Sequence, residues 1–519
     1  MQGKKEYHEK LFLSFQLSQR VPENNFYRRL KNTIDLRFMP QQTKPYYGTE
    51  GQQSIDPEVF FKLMLVGYLE NLGSDRKIIE HASMRLDILF FIGYDIDEPL
   101  PWHSTLSRTR KLYGEDVFLS LFRKVLSLCV SKGMVSGKRQ AIDSAFIKAN
   151  ASTNSLLEKE VIADAQTYVE GLDENDEERH VVGEQRKKMV EQHHAWKKKA
   201  YQGMPGHRAK ERPETDQDGN RYRPRYLSNY THYSPTDPDA RISTKPGKPR
   251  HLNYTGQISV DTKSHVICGA MADFSDKRDS QSLPAILCNT IDNLKMHDIQ
   301  VSEVLADTGY SSGGALKTLE FHRIKGYIPN FGQYKPAREG FTFDPQNDRY
   351  ICSQGAFISY KKTYADAKGN IKKHYRASSL DCKQCPLRPT CIGKSFEKTI
   401  EDAIDKPYYD RMHERMQTKK AKIMRKLRQS TVEPVLGTLV NFLNMKRINA
   451  RGISQANKHV LMAALSYNLK KYMNYSVKAR NIKAMEIKGP LLNTIISAIY
   501  SLLSSVSRFL RLSQGISYV

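Results

Sequence analysis

The hydrophobic pattern of this 519-residue chain changes its period near Gly137. Within residues 57–133, apolar side chains recur at helical spacing, and segments that begin with Pro or Ser end with Gly, as helices commonly do. Within residues 137–150, apolar and polar side chains alternate around Ile142, which predicts a strand that carries Asp143. The change of period predicts a helical N-terminal region followed by a region built on a sheet.

The helical region has the arrangement that DNA-reading helices need. It is divided into several short segments with tight links, and the segment HSTLSRTRKL at residues 103–112 carries three basic residues and a Ser near its start. A helix-turn-helix protein places such a helix in the major groove of DNA. An ordinary helical bundle with a basic face is the alternative.

The following region predicts a mixed α/β sheet. Two strand patterns, at residues 252–261 and 265–274, are joined by Thr-Lys-Ser in the manner of a hairpin. A helical pattern follows at residues 280–297, and a short apolar run, residues 304–306, then ends at Asp307. The order strand, hairpin, helix, strand belongs to a mixed α/β fold.

Two inserted segments interrupt the sheet region. Residues 156–234 are charge-dense and include a Pro-, Gly- and Arg-rich part near residues 203–225, which predicts a mobile arm or a solvated linker. Residues 335–398 are rich in Lys, Tyr and Cys.

Helical patterns return after the second insertion. They cover Tyr408–Ala421, Glu433–Met445 and residues 455–476. We therefore predict three parts: a helical DNA-binding domain of residues 1–135, a core of residues 136–475 that contains both insertions, and a C-terminal helical tail of residues 476–519.

The chain is strongly basic. Lys and Arg number 81 against 56 Asp and Glu, which gives a formal net charge of +25 at pH 7 and a pI near 9.5. Such an excess implies a polyanionic partner, most simply nucleic acid, although a generic cationic protein would show the same balance.

The sequence pattern does not predict secretion or a membrane span. The N-terminus lacks an apolar signal-peptide region, and no uninterrupted apolar run reaches the roughly 18 residues that a span needs. The nearest exception, residues 491–510, contains Asn, Ser and Arg and suits an amphipathic helix packed on protein. We expect a cytoplasmic, nucleoid-associated protein whose seven Cys are reduced thiols or metal ligands.

Three acids lie in settings suited to phosphoryl transfer. Asp143 is near the middle of one predicted strand, Asp307 is at the tip of another, and Glu433 starts a predicted helix. Two Mg²⁺ ions about 3.5–4 Å apart can stabilise the attacking and leaving oxygens of an in-line displacement, and they need carboxylates held on rigid elements. Competing acids in turn-like surroundings are Asp237, Asp239, Asp261, Asp273 and Asp276.

The cysteines of the second insertion have metal-ligand spacing. Cys382, Cys385 and Cys391 form a C-x₂-C-x₅-C pattern, and Cys352 on a preceding strand-like segment can supply a fourth thiolate. Four such donors predict a structural Zn²⁺ site. Unligated reduced thiols are the alternative, followed by an iron–sulfur cluster. The other cysteines lie in apolar stretches and are predicted core residues: Cys129, Cys268 and Cys288.

Four stretches, taken together in their order, carry a family resemblance. They are AIDSAFIKANAS from Ala141, the run from SPTDPDAR to ADFSD at residues 234–276, VLADTGYSS from Val304, and TVEPVLGTLVNFLNMKRINARGISQANKHVLMAALSYNLKK from Thr431. With them, roughly residues 50–475 resemble bacterial insertion-sequence transposases of the DDE superfamily. The group that the chain resembles has an InsH-like helical N-terminal domain and a Cys-containing insert, and is called insertion sequence eleven-eighty-two.

The resemblance implies a ribonuclease-H-like catalytic core and two divalent metal ions, Mg²⁺ or Mn²⁺. It implies hydrolysis at the terminal inverted repeats of a mobile element and attack of a 3′-hydroxyl on target DNA, by a homodimer in the synaptic complex. Asp143, Asp307 and Glu433 match the catalytic, metal-binding acids of the family. Asp237 and Asp239 match a motif of the group to which we assign no role from sequence.

The sequence departs from the family around its last acid. Relatives often have a Tyr-Arg-Glu-Lys signature, but no Tyr precedes Glu433 here, and Val440 stands where many relatives have Lys. The candidates for contacts with DNA phosphates are Arg428, Lys446, Arg447 and Arg451, any of which could instead be a solvated surface charge.

Three functions fit these observations. The first is a metal-dependent DNA transposase. The second is a catalytically inactive DNA-binding protein or regulator derived from a transposase, and the third is a structure-selective nuclease without strand transfer. Because an inactive descendant would not need the three acids, their presence favours an enzyme.

Overall fold

The computed structural model of the protein describes residues 16–48, 50, 53–158, 229, 232–243, 251–332, 334–366 and 369–475. Most of the predicted charged insertion, with the stretch predicted to be mobile, lies outside the described residues, and so does the predicted C-terminal tail. Within the described ranges, no helix combines the length and the apolar content that crossing a membrane requires.

The N-terminal region is helical, as its pattern predicts. The Asp56 carboxylate accepts a 2.7 Å hydrogen bond from Glu58 N, and the Ser74 hydroxyl accepts one of 3.2 Å from Lys77 N. Such caps satisfy amide groups that a first helical turn leaves free. The helices are α1 (Leu17–Arg20), α2 (Phe26–Lys31), α3 (Met39–Thr43), α4 (Pro57–Leu69), α5 (Asp75–Ser83), α6 (Leu86–Ile92), α7 (His103–Leu112) and α8 (Glu115–Ser131).

One predicted helix is two helices in the structure. The pattern of residues 74–93 predicts a continuous helix, but α5 ends at Ser83 and α6 begins at Leu86. Arg85 between them has an extended backbone, and its guanidinium donates two 2.8 Å hydrogen bonds to the Asp87 carboxylate. This bidentate ion pair stabilises the break, which helical spacing alone does not reveal.

The predicted strand, hairpin and later strand are confirmed and lie in one mixed sheet. Its order is β4-β5-β1-β7-β8, with β6 also paired to β5. β5 runs antiparallel to β1 and β6, whereas β7 runs parallel to β1 and β8 parallel to β7. A separate pair is formed by β2 and β3. The strands are β1 (Arg139–Lys148), β2 (Leu157–Glu158), β3 (His232–Tyr233), β4 (Arg241–Ser243), β5 (His251–Asp261), β6 (Ile267–Phe274), β7 (Glu303–Leu305) and β8 (Lys325–Tyr327).

Helices cover both faces of this sheet. At Gly269 on one face, a Cβ atom would lie 2.2 Å from the hydroxyl of Thr290, which belongs to the helix that covers this face. At Gly256 on the other face, a Cβ atom would lie 3.3 Å from Val460 in the helix on that side. Glycine therefore permits close approach on each side. The remaining helices are α9 (Asp279–Lys295), α10 (Gly313–Phe321), α11 (Ser379–Lys383), α12 (Arg388–Cys391), α13 (Lys406–Met416), α14 (Lys419–Phe442) and α15 (453–475).

Helix α14 begins earlier than predicted. The pattern predicts a helix that starts at Glu433, but α14 starts at Lys419 after Thr418, whose hydroxyl accepts a 3.2 Å hydrogen bond from Ala421 N. Glu433 therefore lies in the helix interior. Pro434 resembles a first-turn proline, yet the helix continues through it because buried apolar residues pack on both sides: Val432, Val435, Leu436 and Leu439.

A second, antiparallel sheet lies within and just after the predicted Cys-rich insertion. Its order is β13-β12-β11-β10-β9. It has a small core of its own, made of Tyr350, Ile358, Tyr375, Ala377 and Ile400. The strands are β9 (Phe341–Asp344), β10 (Arg349–Cys352), β11 (Phe357–Ala365), β12 (Ile371–Ala377) and β13 (Thr399–Ala403).

One hydrophobic core extends from the N-terminal helices into the main sheet. Helix α15 joins them: the buried Lys458 ammonium donates a 2.6 Å hydrogen bond to Tyr113 O, and His459 Nδ1 lies 2.6 Å from the Tyr68 hydroxyl. The N-terminal helices and the main sheet therefore share one core, although the sequence pattern changes near residue 135.

Candidate active site

Asp143 lies in the middle of the central strand. It is opposite Ile258 of β5, and its side chain is 17% exposed. Its carboxylate accepts 2.8 Å hydrogen bonds from Ser144 N and from Nη1 of Arg428. Burial raises the pKa of Asp143 and the negative charge of Asp307 adds to this effect, whereas the Ser144 amide and Arg428 oppose it.

Asp307 follows the end of the neighbouring strand β7, close to Asp143. Strands β1 and β7 are parallel with Ala141 opposite Leu305, and each acid comes two residues later. Asp307 starts a short 3₁₀ turn, Thr308–Tyr310, and accepts a 2.9 Å hydrogen bond from the Gly309 amide. Sequence separates the two acids by 164 residues, but the parallel register brings them side by side.

Burial also raises the pKa of Asp307. The charge of Asp279 adds to the increase, and Arg428 and two backbone amides of the turn act in the other direction. Both acids therefore lie in surroundings that disfavour an uncompensated negative charge.

Glu433 reaches this site through an arginine. It lies on α14, its side chain is 55% exposed, and its Oε1 accepts a 3.0 Å hydrogen bond from Nη2 of Arg428. The same guanidinium contacts Asp143, so one cation connects a carboxylate of the sheet with a carboxylate of the helix. Arg428, which the sequence suggested as a phosphate contact, is engaged with acids in this structure.

The other three predicted phosphate contacts lie near the end of β1. Lys148 N donates to Lys446 O at 3.1 Å, and Ile448 N donates to Lys148 O at 3.0 Å, so this loop continues the sheet edge. Lys148 is roughly 16 Å beyond Asp143 at the usual rise of a strand. The side chains of Lys446, Arg447 and Arg451 are exposed.

Asp279 is an acid of this region that the sequence reading missed. Its Oδ1 accepts hydrogen bonds from the Ser144 hydroxyl at 2.8 Å and from Gln257 Nε2 at 3.2 Å. A Cβ atom placed on Gly309 would lie 3.4 Å from Asp279 Oδ2 and 3.1 Å from Asp307 Oδ1, so both acids flank that glycine. The signal available in the sequence was an acid at the start of the helix after the hairpin.

The competing acids near the hairpin have local roles. Asp261 accepts from Gly137 N at 2.7 Å and Lys263 N at 2.9 Å. Asp273 accepts from the Ser282 hydroxyl and pairs with Lys277, and Asp276 lies 3.5 Å from Arg241.

Asp237 and Asp239 bind the beginning of α15. Asp237 Oδ1 accepts hydrogen bonds from the Tyr254 hydroxyl at 2.6 Å and from Gly452 N at 3.1 Å, and Asp239 Oδ2 accepts one from Ile453 N at 2.9 Å. Carboxylates at a helix N-terminus satisfy its free amide groups. This motif, which had no role from sequence, therefore attaches α15 to the sheet.

The geometry does not support the predicted metal sites directly. Among the described residues, no group of three or more His, Cys, Asp or Glu is arranged to hold a metal ion. In the second sheet, Cys352 and Cys382 pack against the small apolar core. All four cysteines of the predicted zinc site are half-buried free thiols: Cys352, Cys382, Cys385 and Cys391.

Of the three cysteines predicted to lie in the core, Cys129 and Cys268 are buried, but the prediction for Cys288 is wrong because it is exposed on α9. The residues of α9 that face the sheet are Leu283, Ile286, Leu287, Thr290 and Leu294, and position 288 points away from them.

Two transposase families match this chain. Residues 15–112 match the family described as Transposase domain (DUF772), and residues 351–473 match the family described as Transposase DDE domain. The two matches together support a DDE-type insertion-sequence transposase. The second match includes Glu433 and Arg428 of this chain, whereas Asp143 and Asp307 lie between the two matched ranges.

Among solved structures, the chain is similar to a piggyBac transposase in a cryo-EM synaptic complex with hairpin DNA. The sequence identity is 10%, the TM-score is 0.30, and the match covers 87% of this chain and 74% of that one. No curated protein matches the sequence.

Proposed function

We propose that this protein is a DNA transposase, which binds the ends of its mobile element and catalyses metal-dependent strand cleavage followed by transfer of a 3′-hydroxyl to target DNA. The observation that carries the proposal is that Asp143 and Asp307 each follow a paired residue of two adjacent parallel strands by two positions, and that Arg428 joins Asp143 to Glu433. The element would be of the insertion sequence eleven-eighty-two group.

The sheet supports a ribonuclease-H-like core. Three antiparallel neighbours, β6, β5 and β1, are followed by β7 and β8, which run parallel to β1. The acids lie on the central strand and at the carboxyl end of its parallel neighbour, where open α/β sheets commonly bind ligands.

Asp143, Asp307 and Glu433 would hold two Mg²⁺ or Mn²⁺ ions, because hard divalent cations prefer carboxylate oxygens on rigid elements. When bound, such ions lower the pKa of water and stabilise charge on the attacking and leaving oxygens. The Ser144 and Gly309 amides orient two of the carboxylates, and the sheet keeps them close together. The predicted zinc site of the four insertion cysteines stays a separate proposal.

Duplex DNA is the proposed partner, as both terminal inverted repeats and target. The N-terminal helices, with α7 as the candidate reader, and the exposed Lys446, Arg447 and Arg451 would contact it. The net charge of +25 supports a polyanionic partner. Joining two ends in one complex would require a homodimer, and the protein would be nucleoid-associated.

Asp307→Asn tests the proposed chemistry. We expect Mg²⁺-dependent cleavage of a duplex that carries the DNA flanking the coding region to fall at least ~100-fold, more than the loss of an outer partner of a metal site usually costs. Binding of the same duplex should change less than several-fold, because the basic surface is intact.

The matched control is Asp276→Asn, which removes a nearby exposed carboxylate that pairs with Arg241. It should cleave as the wild type does. Full cleavage by Asp307→Asn would contradict the proposed function.

A further inference from the structure

Arg428 holds together two acids that come from different elements. Its Nη1 lies 2.8 Å from Asp143 Oδ2, and its Nη2 lies 3.0 Å from Glu433 Oε1. The Arg428 side chain is 13% exposed and that of Glu433 is 55% exposed, so the guanidinium lies between the sheet and solvent. One planar cation thus takes one oxygen from each carboxylate.

The charges around Arg428 explain its position. Asp143 is mostly buried, and Asp307 places a second negative charge beside it. Neighbouring carboxylates in a partly buried site repel each other unless a cation compensates them. Among the residues that the structure describes, Arg428 is the basic side chain that forms ion pairs with Asp143 and Glu433.

The oxygens that Arg428 binds are also those that a divalent cation would need. A metal ion binds carboxylate oxygens directly, whereas a guanidinium approaches them with N–H donors, so the two cations compete for the same oxygens. A DNA phosphate, however, offers the guanidinium the same fork-shaped pair of acceptors that a carboxylate does. The half-exposed position of Glu433 leaves this part of the site open to solvent.

We propose that Arg428 is an internal counter-cation that couples DNA binding to metal binding. In the free protein it neutralises Asp143 and Glu433; on DNA it moves to a backbone phosphate and releases both carboxylates to the metal ion. The inference rests on the proposed function, since it takes these acids as metal ligands. Because binding linkage is reciprocal, metal and DNA strengthen each other's binding by the same factor.

The affinity of the full-length protein for Mn²⁺ tests this coupling. Free Mn²⁺ is measured by its electron paramagnetic resonance signal, with and without a short mixed-sequence DNA duplex, and the Mn²⁺ bound by the duplex alone is subtracted. Arg428→Gln removes the charge and keeps a polar side chain. The matched control, Arg425→Gln, removes the same charge from an exposed position about one turn earlier on α14.

Without DNA, Arg428→Gln should bind Mn²⁺ about tenfold more tightly than the wild type. Addition of the duplex should increase the Mn²⁺ affinity of this variant less than about twofold. The wild type and Arg425→Gln should gain about five- to tenfold from the duplex, within the usual range of coupling between two sites. Arg428→Lys keeps the charge but lacks the paired N–H donors of a guanidinium. Its affinity for Mn²⁺ and its gain from the duplex should therefore lie between those of the wild type and Arg428→Gln.

A purely structural role for Arg428 would lower thermal stability without raising the affinity for Mn²⁺. The coupling is therefore overturned if Arg428→Gln binds Mn²⁺ no more tightly than the wild type, or if the duplex strengthens its binding as much as before.

Asp143→Asn and Asp307→Asn distinguish the two proposals. If both lose Mn²⁺ binding while Arg428→Gln behaves as the wild type, the metal site stands and the coupling is wrong. If both bind Mn²⁺ as the wild type does, the carboxylates are not the metal site, and the proposed function is wrong together with the coupling.

Discussion

The positions and contacts of single acids in this protein differ in how far the sequence reveals them. The strand position of Asp143 and the strand-tip position of Asp307 could be predicted because both depend on local patterns, and their proximity follows from parallel pairing. The role of Asp237 could not be found, because its partner Gly452 is 215 residues away. The contact of Arg428 with Asp143 was hidden for the same reason, since it depends on the path of α14 beside β1.

Asp237→Ala should destabilise the protein without changing its affinity for Mn²⁺. The substitution leaves the buried Tyr254 hydroxyl and the Gly452 amide without their acceptor, which costs about 2 kcal/mol and, in a chain of this length, lowers the unfolding midpoint by roughly 2–4 °C. Differential scanning fluorimetry measures the midpoint. Asp237→Asn keeps an acceptor oxygen and should lose less, whereas loss of Mn²⁺ affinity at unchanged midpoint would assign Asp237 to the active site instead.

Helices and strands were predictable in kind, and their ends were not. The predicted strand β1 and the β5–β6 hairpin are confirmed as strands. Their burial does not alternate, because helices cover both faces of the sheet and most residues of β5 and β6 are buried. The break at Arg85 and the early start of α14 depend on an ion pair and on packing against the sheet, which local spacing does not encode. The fit of α9 on β6 likewise depends on a single glycine.

Gly269→Ala should weaken the packing of α9 on β6. The new methyl group would meet the Thr290 hydroxyl at 2.2 Å and Thr290 Cβ at 3.2 Å, so the Thr290 side chain or the helix must shift, at a cost of about 1–3 kcal/mol. Gly437→Ala is the control, because nothing lies within 4 Å of its Cβ position in α14 and alanine favours helix by up to about 1 kcal/mol. Thermal unfolding followed by circular dichroism should show a lower midpoint for the first variant alone; equal midpoints would mean that α9 tolerates the methyl group.

At the scale of the whole molecule, α15 connects regions that the sequence separates. It receives Asp237 and Asp239 at its start, donates from Lys458 to Tyr113, and accepts at Met473 O a 3.1 Å hydrogen bond from Arg29. A sequence pattern could predict this helix from its period, but the partners on its two sides lie hundreds of residues earlier in the chain. The N-terminal helices are thereby fixed to the sheet that carries the acids, so DNA bound by one would be positioned for the other.

The net charge of the molecule makes a prediction about DNA binding. Each cation that neutralises a phosphate releases counterions, so the affinity for a duplex should fall steeply as salt rises, and removal of one such cation should reduce the log–log slope by about 0.9. Arg447→Ala, at the exposed loop beyond β1, should show this reduction in fluorescence anisotropy titrations across a range of NaCl concentrations. Arg411→Ala, whose guanidinium pairs with Glu320 on the surface, should leave the slope unchanged. A slope unaffected by Arg447→Ala would place the DNA on another face of the protein.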